Sequence, residues 1–217
     1  MSHSISPDLP YVIKPLASSD VGEGTRCYAD IFLNHEPMTR CCRICHDLFF
    51  PPAHVYVSLC ARDFKSFIAR GTISGELAGF VFCSDLSTDW PSRDPRMADL
   101  FSLFPNITCI LGRLEHYYRE QYPSGPGKSL HIFQVGVSPQ FQGLGIAKAL
   151  IRTAVENART GGFSYVLAEC TSPASQGLFS SCGFFAAYEI TFRNFSVDGT
   201  CYFQDLPGEI TLMVREL

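Results

Sequence analysis

Two glycines between a predicted strand and a predicted helix are the first residues that could do chemistry. Gly143 and Gly145 follow the apolar run LHIFQVGV at 130–137 and open a periodic helical segment at 143–160. Glycine lets the backbone approach a bulky anion, and the free amides at a helix start favour negative charge. The turn at 142–147 therefore predicts a pyrophosphate site.

Two common nucleotide-binding patterns do not fit this turn. A dinucleotide fingerprint needs G-x-G-x-x-G, and Lys148 stands where the third glycine belongs. A Walker-type loop ends in a lysine that this turn lacks. Coenzyme A is another ligand that such a turn binds. The alternative is that both glycines serve only a tight change of direction.

Two motifs resemble the signature of the GNAT superfamily of acyl-CoA-dependent N-acyltransferases. They are V-S-P-x-x-Q-x-x-G-x-A at 137–147 and L-F-x-x-C-G-F at 178–184. Both lie within residues 130–195, in the family's order and spacing. The resemblance implies a single α/β domain over residues 1–217. Its mixed, mostly antiparallel central sheet would have splayed middle strands and flanking helices.

The same resemblance implies which residues bind acetyl-CoA, the expected co-substrate. The strand would hydrogen-bond the pantetheine arm and the thioester carbonyl as an added edge strand does, and the turn would hold the pyrophosphate through backbone amides. The implied set is Phe133, Gln134, Val135, Gly136, Val137, Gln142, Gly143, Leu144, Gly145, Ile146, Ala147, Ser172 and Phe179.

An acceptor amine must lose a proton before it attacks a thioester. An alkylamine with a pKa near ~10.4 is only about one part in two thousand neutral at pH 7, so the reaction requires a base. The carboxylates and histidines expected near the sheet opening are Glu36, Asp85, Glu169, His131 and His35.

Glu36 stands in a distinctive context, FLNHEPM at 32–38. This segment resembles the F-x-x-x-E-P-[LM] pattern of insect-type arylalkylamine, or dopamine, N-acetyltransferases, which implies that Glu36 is the catalytic base. Pro37 would restrict the loop, and burial among apolar residues would raise the pKa of the Glu36 carboxyl. The alternative is a surface glutamate that starts the next helix.

The segment ECTSPAS at 169–175 resembles the second part of that group's pattern. The resemblance implicates Thr171 and Ser175 in relaying protons and in reprotonating the thiolate, although hydroxyls at a helix start commonly act as caps. Phe179 stands where many GNAT enzymes have a tyrosine acid. The acid is therefore Ser175, a water or no residue.

We interpret Glu169 and His131 as pairing residues on strands, and Cys170 as an inert buried thiol.

The predicted function is direct acetyl transfer from acyl-CoA to an arylalkylamine such as dopamine, tyramine or serotonin. The aromatic-rich segments at 28–50 and 101–122 could line an aromatic slot or form core. The alternatives are a polyamine or amino-acid acceptor, or an acyl-CoA-binding module without turnover.

Composition narrows the partners further. The chain has 217 residues, 18% of them charged, with a net charge of −4 and a pI near 5.8. It therefore lacks the basic field of a nucleic-acid binder. No apolar run approaches the ~20 residues that cross a bilayer, and the first residues do not resemble an export signal. We expect a cytoplasmic protein with small-molecule partners, and the sequence leaves its oligomeric state open.

Ten cysteines are scattered mostly through apolar segments, as expected of small buried side chains with reduced thiols. The group Cys42, Cys45 and His46 matches a c-type haem attachment pattern and offers three zinc ligands. We predict no metal, because export is not indicated and no second Cys/His pair follows. The favoured interpretation places the three residues on consecutive helical turns.

Periodicity and turn residues predict the elements that must position these side chains. A loop at 34–37, a break at Pro51-Pro52, an irregular segment at 86–98 and a linker at 123–128 interrupt the pattern. The predicted strands are 10–16, a hairpin within 66–85, 130–137, 164–170, 184–195 and 209–216. The predicted helices are 18–33, most of 38–69, 97–122 with an interruption at Pro105, 143–160 and 174–181.

Overall fold

The computed structural model describes residues 10–217. The strands are β1 Tyr11–Pro15, β2 Phe67–Gly71, β3 Leu77–Asp85, β4 Ser129–Val137, β5 Tyr165–Cys170, β6 Phe185–Thr191 and β7 Glu209–Glu216. The helices are α1 Val21–His35, α2 Pro37–Cys42, α3 His46–Arg62, α4 Trp90–Arg93, α5 Met97–Ser102, α6 Pro105–Gln121, α7 Ile146–Thr160 and α8 Pro173–Ser180. The seven strands form one sheet in the order β1-β2-β3-β4-β5-β7-β6.

The two middle strands of this sheet separate along their length. All other neighbours pair antiparallel, whereas β4 and β5 pair parallel over only three positions, from Ser129 opposite Tyr165 to His131 opposite Leu167. Beyond His131, no strand among residues 10–217 pairs with β4 on this side. The predicted α/β fold, a mostly antiparallel sheet with splayed middle strands and flanking helices, is confirmed.

Helices cover both faces of the sheet, which explains why β3 is apolar at nearly every position. On one face, α7 packs a stripe at helical spacing that includes Leu150, Ile151 and Ala154. On the other face, α1 and α3 pack Tyr28 and Tyr56 against the β3 aromatics. A third cluster joins α6 to β5 and β7. The sheet opening lies between these packed layers.

The predicted loop at 34–37 shrinks to the single residue Glu36. Helix α1 continues to His35, and the Asn34 side chain donates a hydrogen bond to the Asp30 carbonyl at 2.8 Å. A proline disfavours helix at the residue before it, and Glu36 is accordingly extended, with φ of −77° and ψ of 124°. Pro37 then begins α2. Two helices therefore meet at the candidate base.

The predicted break at Pro51-Pro52 is wrong, because α3 runs through both prolines. The break instead lies at 43–45, where Arg43 adopts a left-handed conformation with φ of 51°. Prolines deprive the carbonyls one turn earlier of a partner. Asp47 and Leu48 carry those carbonyls and are exposed, so water can bond to them.

Four other predicted boundaries shift. The irregular segment at 86–98 contains α4 and the start of α5, and β6 ends at Thr191 rather than at 195. Helix α7 begins at Ile146 rather than at 143, because the two glycines before it are left-handed. The predicted helical stretch at 38–69 ends already at Arg62, and β2 begins at Phe67. The remaining predicted elements are confirmed to within about two residues. The expectation that no export signal is present rests partly on residues 1–9, which lie outside the described residues.

Candidate active site

A cavity of about 640 Å³ opens where β4 and β5 separate. Three predicted catalytic residues, Glu36, Thr171 and Ser175, line it together. The members of the predicted cofactor set in its wall are Phe133, Gln134, Val135, Ser172 and Phe179. The rest of that set continues along β4 from Gly136 into the turn before α7 and lies outside the cavity.

A β-bulge in β4 shapes one wall of the cavity. Phe82 pairs with Gln134 and Cys83 pairs with Ile132, so Phe133 has no partner in β3. Such an extra residue re-aims side chains and commonly lies beside active sites. Buried Gln134 accepts a hydrogen bond from the Tyr56 hydroxyl, which ties β4 to α3. Sequence reasoning missed Tyr56, because no local pattern links positions so far apart in the chain.

The turn before α7 presents unpaired backbone amides. Gly143 and Gly145 have φ of +80° and +77°, a left-handed conformation that favours glycine. The first amide bonded inside the helix is that of Ala149, which donates to the Gly145 carbonyl at 3.1 Å. The amides before it have no helical acceptor. Residues 142–145 are exposed, so this helix start can receive an anion.

Glu36 joins the α1–α2 junction to the end of β5. One carboxylate oxygen, Oε1, accepts from the Thr171 hydroxyl at 2.8 Å and from the Met38 amide at 3.2 Å. The other, Oε2, accepts from the Thr39 amide at 2.6 Å. The side chain is half-buried, so the expected apolar burial is wrong. Glu36 does start the next helix, but it also faces the cavity.

Three hydroxyl side chains lie close together at the start of α8, those of Thr171, Ser172 and Ser175. The Ser172 and Ser175 side chains each accept a hydrogen bond from the other residue's amide at 3.2 Å, which is a capping box. The Ser175 hydroxyl also donates to the Ser172 carbonyl at 2.9 Å. Ser175 therefore caps the helix, whereas Thr171 contacts the candidate base directly.

Cys170 and Phe179 are buried beside these hydroxyls. Burial raises the pKa of the Cys170 thiol to about 12, which keeps it protonated and unreactive. Phe179 packs edge-on against Phe184, with ring centroids 5.0 Å apart. Its ring has no proton to donate.

His131 and Glu169 pair across the point where the strands begin to separate. His131 Nε2 lies 2.7 Å from Glu169 Oε2, and both residues line the cavity. Burial lowers the pKa of His131, but the charge of Glu169 and its hydrogen bond outweigh burial, so the pKa is raised. The interpretation of the two as pairing residues agrees with this contact.

The other two base candidates also line the cavity, where Asp85 has a local structural role. Its carboxylate accepts from the Ser87 amide at 2.8 Å and the Gly127 amide at 2.6 Å, which fixes two loops. His35 is exposed at the end of α1, next to Glu36. Of the five candidates, Glu36 is the one that accepts a hydrogen bond from Thr171.

Aromatic side chains from four helices, and from the residue before α6, line another part of the cavity. These side chains are Tyr28, Phe32, Phe49, Trp90, Phe101 and Phe104. Tyr28 and Phe49 also belong to the buried core, so the predicted slot and core overlap. Sequence reasoning missed Trp90, which lies in the short helix α4 within the predicted irregular segment.

The cysteine and histidine group is not arranged on consecutive helical turns. Cys42 ends α2, Cys45 precedes α3 and His46 begins it, because the chain turns at Arg43 between the helices. Within residues 10–217, no group of three or more His, Cys, Asp or Glu side chains is placed to hold a metal ion. Over the same residues, no helix combines the length and apolar character that a membrane span needs.

A comparison with known protein families matches residues 36–184 to the acetyltransferase (GNAT) family. The chain belongs to this family. The matched region is more than half of the chain and includes Glu36, the turn before α7 and helix α8.

One similar protein is the N-acetyltransferase 8F1 of Rattus norvegicus, which is 46% identical over 65 residues. That match covers 29% of this GNAT chain and 28% of the rat protein. The chain therefore matches well under half of that relative's length.

Three solved GNAT-like structures are similar over nearly the whole chain. The C-terminal condensation domain of Ebony in complex with beta-alanyl-dopamine has a TM-score of 0.82 at 16% identity, covering 96% of this chain and 100% of that one. Arylalkylamine N-acetyltransferase 2 of Aedes aegypti has a TM-score of 0.75 at 19% identity, covering 95% of this chain and 98% of that one. The polyamine N-acetyltransferase of Drosophila melanogaster has a TM-score of 0.71 at 18% identity, covering 95% of this chain and 100% of that one. At these identities the likeness is one of fold.

Proposed function

We propose that this GNAT chain transfers an acetyl group from acetyl-CoA to a primary amine, and that the amine is an arylalkylamine such as dopamine, tyramine or serotonin. The observation that carries the proposal is the Glu36 carboxylate. It accepts a hydrogen bond from the Thr171 hydroxyl at the sheet opening, in the wall of a cavity that is partly lined by aromatic side chains. A base next to a slot for an apolar ring suits an amine with an aromatic tail.

Acetyl-CoA fits the two sets of unpaired backbone groups. The exposed amides at the start of α7 would receive the pyrophosphate, with Gly143 and Gly145 giving it room. The pantetheine would lie along β4 beyond His131, where β5 no longer satisfies the backbone. The thioester would then lie near the bulge at Phe133, within the cavity that Glu36 lines.

The chemistry is direct transfer without a covalent enzyme intermediate. Glu36 takes a proton from the ammonium through a water, and the neutral amine attacks the thioester carbonyl carbon. The amide near Val135 stabilises the oxyanion until the carbon–sulfur bond breaks. The attacking nitrogen then loses a second proton, which Thr171 and Ser175 relay to the departing thiolate, and Glu36 returns its own proton to solvent. Cys170 takes no part, because its thiol is buried and protonated.

The proposed acceptor class rests on the aromatic lining of the cavity and on the ligands and activities named for similar structures. Phe32, Trp90 and Phe101 give one side of the cavity aromatic surface. One similar structure is a complex with beta-alanyl-dopamine, and another is an arylalkylamine N-acetyltransferase. A polyamine acceptor is the second candidate, because Asp85, Glu115 and Glu169 also line the cavity and a polyamine acetyltransferase shares the fold.

We further propose a single catalytic domain in the cytoplasm. All ten cysteines are free thiols, which suits a reducing compartment. A thiol-release assay with acetyl-CoA tests the function, with tyramine, dopamine, serotonin, spermidine, agmatine and amino acids as acceptors. We expect turnover of the arylalkylamines. Turnover of only spermidine, agmatine or amino acids would overturn the acceptor class, and no turnover with any amine would favour a binding module.

A further inference from the structure

Glu169 has a carboxylate oxygen that nothing in the described structure uses. Its side chain is 6% exposed, and Oε2 is paired with His131. Among residues 10–217, no hydrogen bond reaches Oε1, yet no buried polar side-chain atom there lacks a partner. Oε1 therefore borders open space. Since Glu169 lines the cavity, that space is the cavity.

The other carboxylates of this cavity are already engaged. Asp85 accepts backbone amides of two loops, and Asp89 accepts from Ser92 at the start of α4. Glu115 forms an ion pair with Arg119 one turn further along α6. Glu36 holds three donors at the α1–α2 junction. Glu115 uses only Oε1 for Arg119, but its side chain is 42% exposed. Glu169 is thus the buried lining carboxylate with a whole oxygen left for a ligand.

The position of Glu169 relates it to the proposed base. It lies at the end of β5, two residues before Thr171, whose hydroxyl donates to Glu36, and both carboxylates line the same cavity. Ile107 and Leu111 of α6 line the cavity as well and offer apolar contact for a ring.

We propose that Glu169 Oε1 accepts a hydrogen bond from a ring hydroxyl of the acceptor, and that His131 positions the carboxylate for this contact. The inference rests on the proposed arylalkylamine function and deepens it, since it makes the acceptor a phenol, a catechol or a hydroxyindole. A neutral donor suits the site better than a second cation does. Glu169 is already paired with the imidazole, so its remaining oxygen needs only a hydrogen-bond donor and not a second cation.

A pair of acceptors that differ by one hydroxyl tests the inference. The ratio of kcat/KM for tyramine to that for phenethylamine is measured in the wild type, Glu169→Leu and Glu169→Gln. A hydrogen bond to a carboxylate predicts that Glu169→Leu lowers the ratio by about 10- to 100-fold. Glu169→Gln keeps a weaker acceptor, so its ratio should fall between the two. Glu115→Gln removes a carboxylate already paired with Arg119 and should leave the ratio unchanged.

Phenethylamine turnover also shows whether each variant is folded. A ratio that stays within twofold of the wild type in both Glu169 variants overturns the inference, as does selective loss of agmatine or spermidine turnover. An active wild type with an unchanged ratio leaves the proposed function standing. A wild type that acetylates neither amine overturns the proposed function and the inference together.

Discussion

The Thr171 hydroxyl donates a hydrogen bond to Glu36 Oε1 at 2.8 Å, although the two residues lie 135 positions apart. This contact connects the start of α2 with the end of β5 at the sheet opening. A carboxylate with a hydroxyl donor and two amide donors is held in one orientation. The proposed base is therefore aimed by groups from both sides of the cavity.

Thr171 should matter for catalysis through its hydroxyl alone. Thr171→Val keeps the side-chain shape but leaves Glu36 with its two amide donors, so kcat/KM for the amine should fall roughly 10-fold or more. The KM for acetyl-CoA should stay the same. Thr171→Ser restores a hydroxyl and should recover most of the rate. Thr108→Val, which changes another cavity threonine, is the control; full activity in Thr171→Val would contradict the role.

Gly145 should be required for binding acetyl-CoA. Its φ of +77° is unfavourable for an alanine by about 1–2 kcal/mol, and relieving that strain moves the amides that face the pyrophosphate. Gly145→Ala should raise the KM for acetyl-CoA about 5- to 30-fold and leave the KM for the amine unchanged. Gly22→Ala in α1 has open space around it and no positive φ, so it should not affect either constant. An unaltered acetyl-CoA KM in Gly145→Ala would refute this assignment.

The His131–Glu169 pair should make stability depend on pH. The pKa of His131 in the folded chain is raised above its ordinary value of 6.5, so folding favours the protonated ring. The stabilisation is complete below about pH 6.5 and is lost as pH rises through the folded pKa. Urea unfolding from pH 5.5 to 8.5 should show a steeper loss of stability in the wild type than in His131→Asn. Equal slopes would argue against the pair.

Cys170 should be dispensable for the chemistry. Its buried thiol has a pKa raised to about 12, so a thiolate nucleophile is scarce at neutral pH. Cys170→Ala should keep kcat within about threefold, after correction for any lost stability. Intact-mass spectrometry of the wild type with acetyl-CoA and no amine should show no added acetyl group. A stable acetyl adduct at Cys170 would disprove direct transfer.

Local sequence is enough to predict features that a few adjacent residues determine. Gly143 and Gly145 do form a turn with left-handed backbone before α7. The separation of β4 from β5, in contrast, is expected only from the family resemblance. Contacts between distant segments are harder to predict. The Tyr56–Gln134 hydrogen bond and the free oxygen of Glu169 depend on how α3, β4 and β5 pack, which no local pattern records.

Proline rules also need tertiary context. Pro37 ends a helix as expected because the residue before it is extended, yet Pro51 and Pro52 stay inside α3. The packing of Phe49, Tyr56 and their neighbours in the core outweighs the two missing backbone hydrogen bonds. The prediction that Cys42 and His46 lie on consecutive turns of one helix is wrong for a similar reason, since a left-handed Arg43 separates the two helices.

The most direct test of the account is the pH dependence of kcat/KM in Glu36→Gln with tyramine. Without its base, the variant should lose about 10²- to 10⁴-fold at pH 7. Its rate should then rise tenfold per pH unit toward the amine pKa near ~10.4, as free amine accumulates. Acetyl-CoA affinity and thermal stability serve as controls, because Glu36 also caps α2. A wild-type rate at pH 7, or a deficit that stays constant as pH rises, would contradict the assignment of Glu36 as the base.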